Sequence, residues 1–125
     1  MIYRTMQEAE DGRPVIEASA EGLGVRKDDD PYPDIEVVDG FVSPGNGMSV
    51  SGDPSQMPKR RRHPQYGGKS KMPLFGMEEG DLPNGLSLFP PFQAGHMVLQ
   101  PTWQMPIDDY EALLEGTRSS WRRIL

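Results

Sequence analysis

Apolar positions fall in short runs along the first hundred residues and then change period. Met1-Ile2-Tyr3-Arg4-Thr5-Met6 opens with large, β-prone side chains and gives way to a polar stretch holding Gly12-Arg13-Pro14, which predicts a first strand. Ile35-Glu36-Val37-Val38 alternates up to the turn signal Asp39-Gly40 and predicts another. Phe41-Val42, Met48-Ser49-Val50 and Leu86-Ser87-Leu88-Phe89 predict three more, each bounded by Gly or Pro, and His96 to Gln100 another short one stopped by Pro101. From there the spacing turns helical: Ile107, Tyr110, Leu113, Leu114, Thr117, Trp121 and Leu125 share a face. Asp108 and Asp109 begin this segment and Arg118, Arg122 and Arg123 end it, matching the helix dipole over 107–125. Residues 15–24 predict a weak helix. Asp28-Asp29-Asp30-Pro31-Tyr32-Pro33 is a charged connection, and residues 53–72 form one long polar loop, a length that inside a small domain marks a functional or mobile segment.

Composition limits what this pattern can build. With 125 residues there is room for one domain, residues 1–125, and one core. That core is thin, because hydrophobic residues make up 35% and Gly plus Pro number 27. Two Trp, four Phe, four Tyr and eight Met nevertheless supply enough bulk to argue against an unfolded tail. The absence of cysteine excludes disulfides and thiolate metal sites, and His63 and His96, the only histidines, are too far apart in sequence to suggest a metal centre. No apolar run approaches a membrane span and no secretory leader is visible, so the expectation is a soluble protein made in the cytoplasm, with no membrane partner.

Charge is distributed unevenly. Residues 1–53 hold twelve acids and four bases, residues 54–72 six bases and no acid, and residues 73–125 seven acids and three bases, for a net charge of -6. A basic loop in an acidic chain is a local anion trap. Lys59-Arg60-Arg61-Arg62-His63 has the look of a nucleic-acid patch, but the acidic surroundings argue against nucleic acid as the main partner. Tyr66, Gly67 and Gly68 follow, an aromatic ring able to stack on a base beside backbone able to approach a phosphate. The loop is therefore expected to be a mobile flap over a dinucleotide, with Arg61, Arg62, Tyr66 and Gly68 in contact. No nucleotide-binding glycine fingerprint, phosphate-binding loop of the Walker type or serine-hydrolase elbow is present.

Several short motifs occur in a telling order: Tyr3-Arg4, then Pro33-Asp34-Ile35, Gly47 and Ser49-Val50, then His96, Val98, Leu99, Pro101, Met105, Tyr110, Leu114 and Trp121. In that order the chain resembles the small ADP-ribosyltransferase-like toxins of bacterial type VI secretion, the cytoplasm-acting Tse-two type. The resemblance implies a single α+β domain with a small, bent antiparallel sheet and a C-terminal amphipathic helix. It also implies NAD as ligand, a cognate immunity protein or antitoxin as partner, an acceptor in the target cell that the sequence does not identify, and action in the cytoplasm of a target bacterium.

In such folds a strand-borne Arg or His meets the NAD ribose and phosphates, a Ser or Thr opens a later strand, and a Glu often sits on a third. Carried onto this chain, these roles fall to Arg4, to Ser49 with Gly47 beside it, and to the strand of His96, where the expected Glu position holds Gln100. Cleaving nicotinamide from ribose passes through an oxocarbenium-like state, which requires held phosphates, a positioned ribose and negative charge nearby. Glutamine can orient a hydroxyl but carries no charge. Arg4, Ser49, His96 and Gln100 are thus the catalytic candidates, and Arg4, as a ligand-gripping residue, is expected to contribute little to packing. Two alternatives remain: a catalytically inactive NAD-binding or protein-interaction module of the same fold, and a nucleic-acid-binding protein using the basic loop.

Overall fold

In the computed structural model, which describes residues 1–125, the strands in chain order are β1 (Ile2–Thr5), β2 (Phe41–Val42), β3 (Met48–Ser51), β4 (Leu74–Met77), β5 (Leu86–Phe89), β6 (His96–Pro101), β7 (Met105–Pro106) and β8 (Arg122–Arg123), with one helix, α1 (Ile107–Gly116). Six of them form a sheet in the order β5-β6-β3-β1-β4-β8, every neighbouring pair antiparallel, while β2 and β7 make a separate two-stranded ribbon. An α+β domain with an antiparallel sheet is therefore what the chain adopts.

Alternation in the central strands decides which face meets the core. Met48 and Val50 on β3, and Met97 and Leu99 on β6, are buried, whereas Ser49, Val98 and Gln100 are half-buried and His96 is exposed. The buried set joins Ile2, Phe75, Tyr110, Leu114 and Trp121 in one cluster of 18 residues. Helix α1 closes this face with Tyr110, whose hydroxyl donates to the Leu99 carbonyl at 2.6 Å and accepts from the Met48 N–H at 3.0 Å. That one phenol clamps β3 to β6 from beneath, and its burial pushes its pKa upward. No helix is long and apolar enough to cross a membrane.

The chain's end departs from the periodicity. The helix stops at Gly116, where Thr117 Oγ1 donates to the Leu114 carbonyl and accepts from Trp121 Nε1 at 3.1 Å. A short 3-10 turn, Arg118–Ser120, then redirects the chain so that β8 adds to the free edge of β4. Gly76 on β4 makes room there, since a Cβ would meet Met1 Sδ and Ile124. Trp121 is fully buried, as its spacing implies, but it packs from beyond the helix, and the three arginines do not serve the helix dipole.

Two further elements differ from expectation. Residues 15–24 form no helix: Val15 and Leu23 pair their backbones and Glu17 N–H donates to the Leu23 carbonyl, because Gly22 and Gly24 let the strand-like arms approach closely. Ile35–Val38 is buried at Ile35 without forming a strand, since its N–H groups go to scattered partners: Ile35 donates to the Arg26 carbonyl, Val37 to the Asp28 carboxylate and Val38 to the Phe41 carbonyl across the turn. The turn at Asp39-Gly40 is present, both residues having positive φ, and joins Val38 to Phe41.

Candidate functional site

Strands β1 and β3 share a single register pair, Tyr3 with Ser51, while β1 pairs along its whole length with β4 and β3 with β6. Beyond that pair the two strands splay, and the sheet opens. By alternation Arg4 leaves β1 on the core face and Ser49 leaves β3 on the opposite one. The opening lets both reach one cleft of about 240 Å³, bordered by Arg4 and Val50 from one side and Thr5, Ser49 and Ser51 from the other.

Arg4 is 4% exposed, and its guanidinium makes four hydrogen bonds to backbone carbonyls: Nε and Nη2 to Gly22, Nη2 to Ser19, and Nη1 to Ser49 at 2.8 Å. The absence of a helix over 15–24 is what makes this possible, because those carbonyls turn inward instead of bonding within a helical ladder. Burial, together with the charge of Arg61, lowers the Arg4 pKa to about 10, so it stays cationic at neutral pH. Of its five N–H donors one remains free, on Nη1. Arg4 thus holds the splay in shape, and the expectation that it contributes little to packing is corrected.

His96, on β6, reaches over the same cleft, with Nε2 3.2 Å from Ser49 Oγ. Arg4, Ser49 and His96, picked out by their order in the sequence, therefore border one space. Arg61 borders it too. Its carbonyl accepts from Thr5 Oγ1 at 2.8 Å and its guanidinium donates to the Ala20 carbonyl, which fixes the basic loop against β1.

The remaining candidates lie elsewhere. Gln100 is held on the outer part of the sheet, its Oε1 accepting from Gly45 N–H at 2.8 Å and its Nε2 donating to Ser87 Oγ at 3.1 Å, so it does not line the cleft. Gly47 is buried beneath the Leu99 carbonyl, where a Cβ would collide, and serves strand packing. Arg62 donates to the Met57 carbonyl at 3.0 Å, and Gly68 packs on the Arg62 backbone. Tyr66 ends the 3-10 turn Pro64–Tyr66 and lines neither the cleft nor its neighbour. The loop is also folded on itself, Lys69 N–H bonding to the Lys59 carbonyl and Ser70 N–H to that of Arg62.

Sequence reasoning passed over Gln56, Met57 and Pro58 and placed Arg60 only in the basic run of the loop, yet all four complete the cleft wall. A signal for this wall was present: Asp53-Pro54-Ser55, in which the Asp53 carboxylate accepts from the Ser55 N–H at 2.9 Å and caps the short turn Pro54–Gln56. No carboxylate borders the cleft. It offers a guanidinium wall, a serine–histidine pair and the Gln56 amide, a set suited to orienting hydroxyls and phosphates.

On the shared Thr5, Arg60 and Arg61 the cleft adjoins a larger basin of about 640 Å³, also bordered by Ala20, Glu21, Arg26, Tyr32, Lys69 and Lys71. A family model described as Tse2 ADP-ribosyltransferase toxin matches residues 2–121. No curated protein and no solved structure matches the chain.

Proposed function

The chain belongs to the family of Tse2 ADP-ribosyltransferase toxins, and from that premise we propose that it transfers ADP-ribose from the substrate NAD, with the nicotinamide ribose in the cleft of Arg4, Ser49 and His96. The observation that carries this is their meeting in one cleft at the splay of β1 from β3. A cavity of about 240 Å³ falls below the range of about 300–1,000 Å³ usual for whole ligands, so it suits the reacting end of a dinucleotide and leaves the rest outside.

The bond broken is the one between ribose C1′ and the nicotinamide nitrogen, and its electron pair leaves with nicotinamide. An acceptor atom then bonds to C1′ and gives up a proton. Ser49 and His96, already 3.2 Å apart, orient a ribose hydroxyl between a donor and an acceptor. With no carboxylate on the wall, the lone pairs of Ser49, His96 and Gln56 are the negative ends that face the developing positive charge. The chain's own contribution is thus mainly orientation.

In this proposal the toxin is antibacterial, acts in the cytoplasm of the target cell after type VI delivery, and is blocked by a small immunity protein covering the cleft. The test is expression in bacteria with labelled NAD supplied to the extract. Growth arrest and label transfer to a macromolecule are expected, and Ser49→Ala is expected to relieve both while melting at the wild-type temperature. Equal arrest by a folded Ser49→Ala variant would contradict the assignment. The lack of a carboxylate also favours a second reading, an inactive NAD-binding module, which NAD-dependent thermal stabilisation without nicotinamide release would reveal.

A further inference from the structure

We propose that the basic loop is a docking face for single-stranded RNA, and that the strand held there presents a ribose hydroxyl to the adjoining cleft as the acceptor of ADP-ribose. The acceptor role rests on the transfer proposed above, whereas the docking face rests on charge, aromatic rings and position.

Residues 54–72 hold six bases and no acid, and of these Lys59, Arg60, Lys69 and Lys71 are exposed. None of the six enters the chain's ion pairs, which join Arg26 to Asp34, Lys27 to Glu111, Arg118 to Asp11 and Arg123 to Glu8. The acidic surroundings that argue against nucleic acid along the sequence lie elsewhere in the fold: among nineteen Asp and Glu, Glu21 alone borders the cleft or the basin. NAD brings one diphosphate, whose two charges answer fewer than half of these cations. The surplus fits a ligand that carries a charge at every step of its length, a polynucleotide.

The basic face is held together against its own repulsion. Lys69 N–H bonds to the Lys59 carbonyl and Ser70 N–H to that of Arg62, which lays the two ends of the loop side by side, and Thr5 Oγ1 ties the Arg61 carbonyl to β1. Burial and the neighbouring charges of Arg26 and Arg60 push the Arg61 pKa down, the same repulsion seen from one member. A row of phosphates would relieve it.

Aromatic rings narrow the class to an unpaired strand. Tyr32 borders the basin with 75% of its surface exposed. Pro31 and Pro33 stiffen the backbone on both sides of it, and the Asp30 carboxylate accepts from its N–H at 2.8 Å, so the ring is held outward. Tyr66, also exposed, ends the turn Pro64–Tyr66 inside the basic loop. Single strands lay their bases on such rings while their phosphates follow the charges; a duplex keeps its base faces stacked inside. Arg60 and Arg61 border basin and cleft alike, so a strand on this face runs to the cleft's rim. There the exposed Gln56 amide, which both donates and accepts, meets the ribose 2′-hydroxyl that DNA lacks. In the transfer the bond from C1′ of the NAD ribose to nicotinamide breaks, its electron pair leaving with nicotinamide. The RNA hydroxyl oxygen bonds to C1′, and its proton passes to water.

The experiment is fluorescence anisotropy of a short labelled single-stranded RNA titrated with the whole chain over a range of salt, beside DNA of the same sequence, the RNA duplex and poly-glutamate. Binding of the single-stranded RNA that falls steeply with salt is expected, with the other three weaker. The double variant Lys69→Ala, Lys71→Ala is expected to melt unchanged and bind at least about tenfold more weakly, with a log-log salt slope shallower by about 1.4, the share of two phosphates on a single strand. Tyr32→Ala should weaken binding about fivefold or more and leave the slope alone. Absent binding, or a double variant with wild-type affinity and slope, would overturn the docking face. Poly-glutamate bound as tightly as RNA would overturn it in favour of an acidic protein, and DNA or duplex bound equally well would overturn the single-stranded RNA assignment. With labelled NAD, label is expected on the RNA. Nicotinamide release that leaves the RNA unlabelled would overturn the acceptor role, whereas RNA binding without any nicotinamide release would count against the reaction in the cleft and keep the docking face.

Discussion

The cleft and the basin share Thr5, Arg60 and Arg61, yet they are built on opposite principles. In the cleft the polar side chains carried by the strands are largely spoken for: Arg4 on three carbonyls, Ser49 on His96, Ser51 on the Asp53 and Ala94 carbonyls. In the basin four cations stand outside any ion pair, with the Glu21 carboxylate the one negative charge on the wall. Fixed, satisfied groups can orient a small moiety but attract little, whereas free like charges attract strongly and orient loosely.

The largest expected effect falls on the cleft's frame. Arg4→Ala leaves the Ser19, Gly22 and Ser49 carbonyls without their partner in a buried opening, at a cost of at least about 3 kcal/mol by the usual penalty per unsatisfied group. Thermal melting is expected to show a marked loss, with Arg4→Lys recovering only part of it because an ammonium cannot span the fork. An Arg4→Ala protein as stable as wild type would remove the distinction between frame and ligand grip.

Tyr110→Phe comes next. It strands the Met48 N–H and the Leu99 carbonyl under the strands that carry Ser49 and His96, and a loss of about 1–3 kcal/mol is expected in chemical denaturation. The cleft should loosen with it and the basin should not. RNA affinity that falls in parallel with stability in this variant would blur the comparison.

The apolar half of this architecture was legible because alternation and bulk are local. Met48, Val50, Met97, Leu99, Tyr110 and Trp121 announce themselves by period, and all are buried. Strand β4 escaped detection since all four of its residues are buried, leaving no alternation, and Gly76 in its middle reads as a break. The two-residue strands β7 and β8 are too short to leave any pattern.

The polar half was legible only where order along the chain pointed to it, at Arg4, Ser49 and His96. What Arg4 touches depends on carbonyls 15 to 45 residues away, which no local spacing encodes. Gln100 shows the reverse: a correct strand position whose side chain is drawn off by Gly45 and Ser87.

The smallest expected effect lies away from both cavities, at the tie between the Asp11 carboxylate and Arg118, 2.6 Å apart. Hydrogen bonds from Arg118 and from the Arg13 N–H hold the Asp11 pKa below its ordinary 3.8. A carboxylate depressed in the folded state stabilises above its ordinary value and loses that contribution as pH falls through the depressed one. Asp11→Asn should therefore melt slightly below wild type at neutral pH, and the gap should close as pH falls through the depressed Asp11 pKa. A gap that persists in acid would assign the difference to something other than charge, and neither cavity's behaviour should change.

The most direct measurement is nicotinamide release from NAD by the purified chain and by His96→Ala, each first shown to melt at the same temperature. His96 is exposed and contributes little to the core, so its loss should leave stability intact while slowing release by about a hundredfold, the scale of a misaligned reacting group. Release at the same rate in both proteins would contradict the assignment of this cleft as the place where the ribose is held.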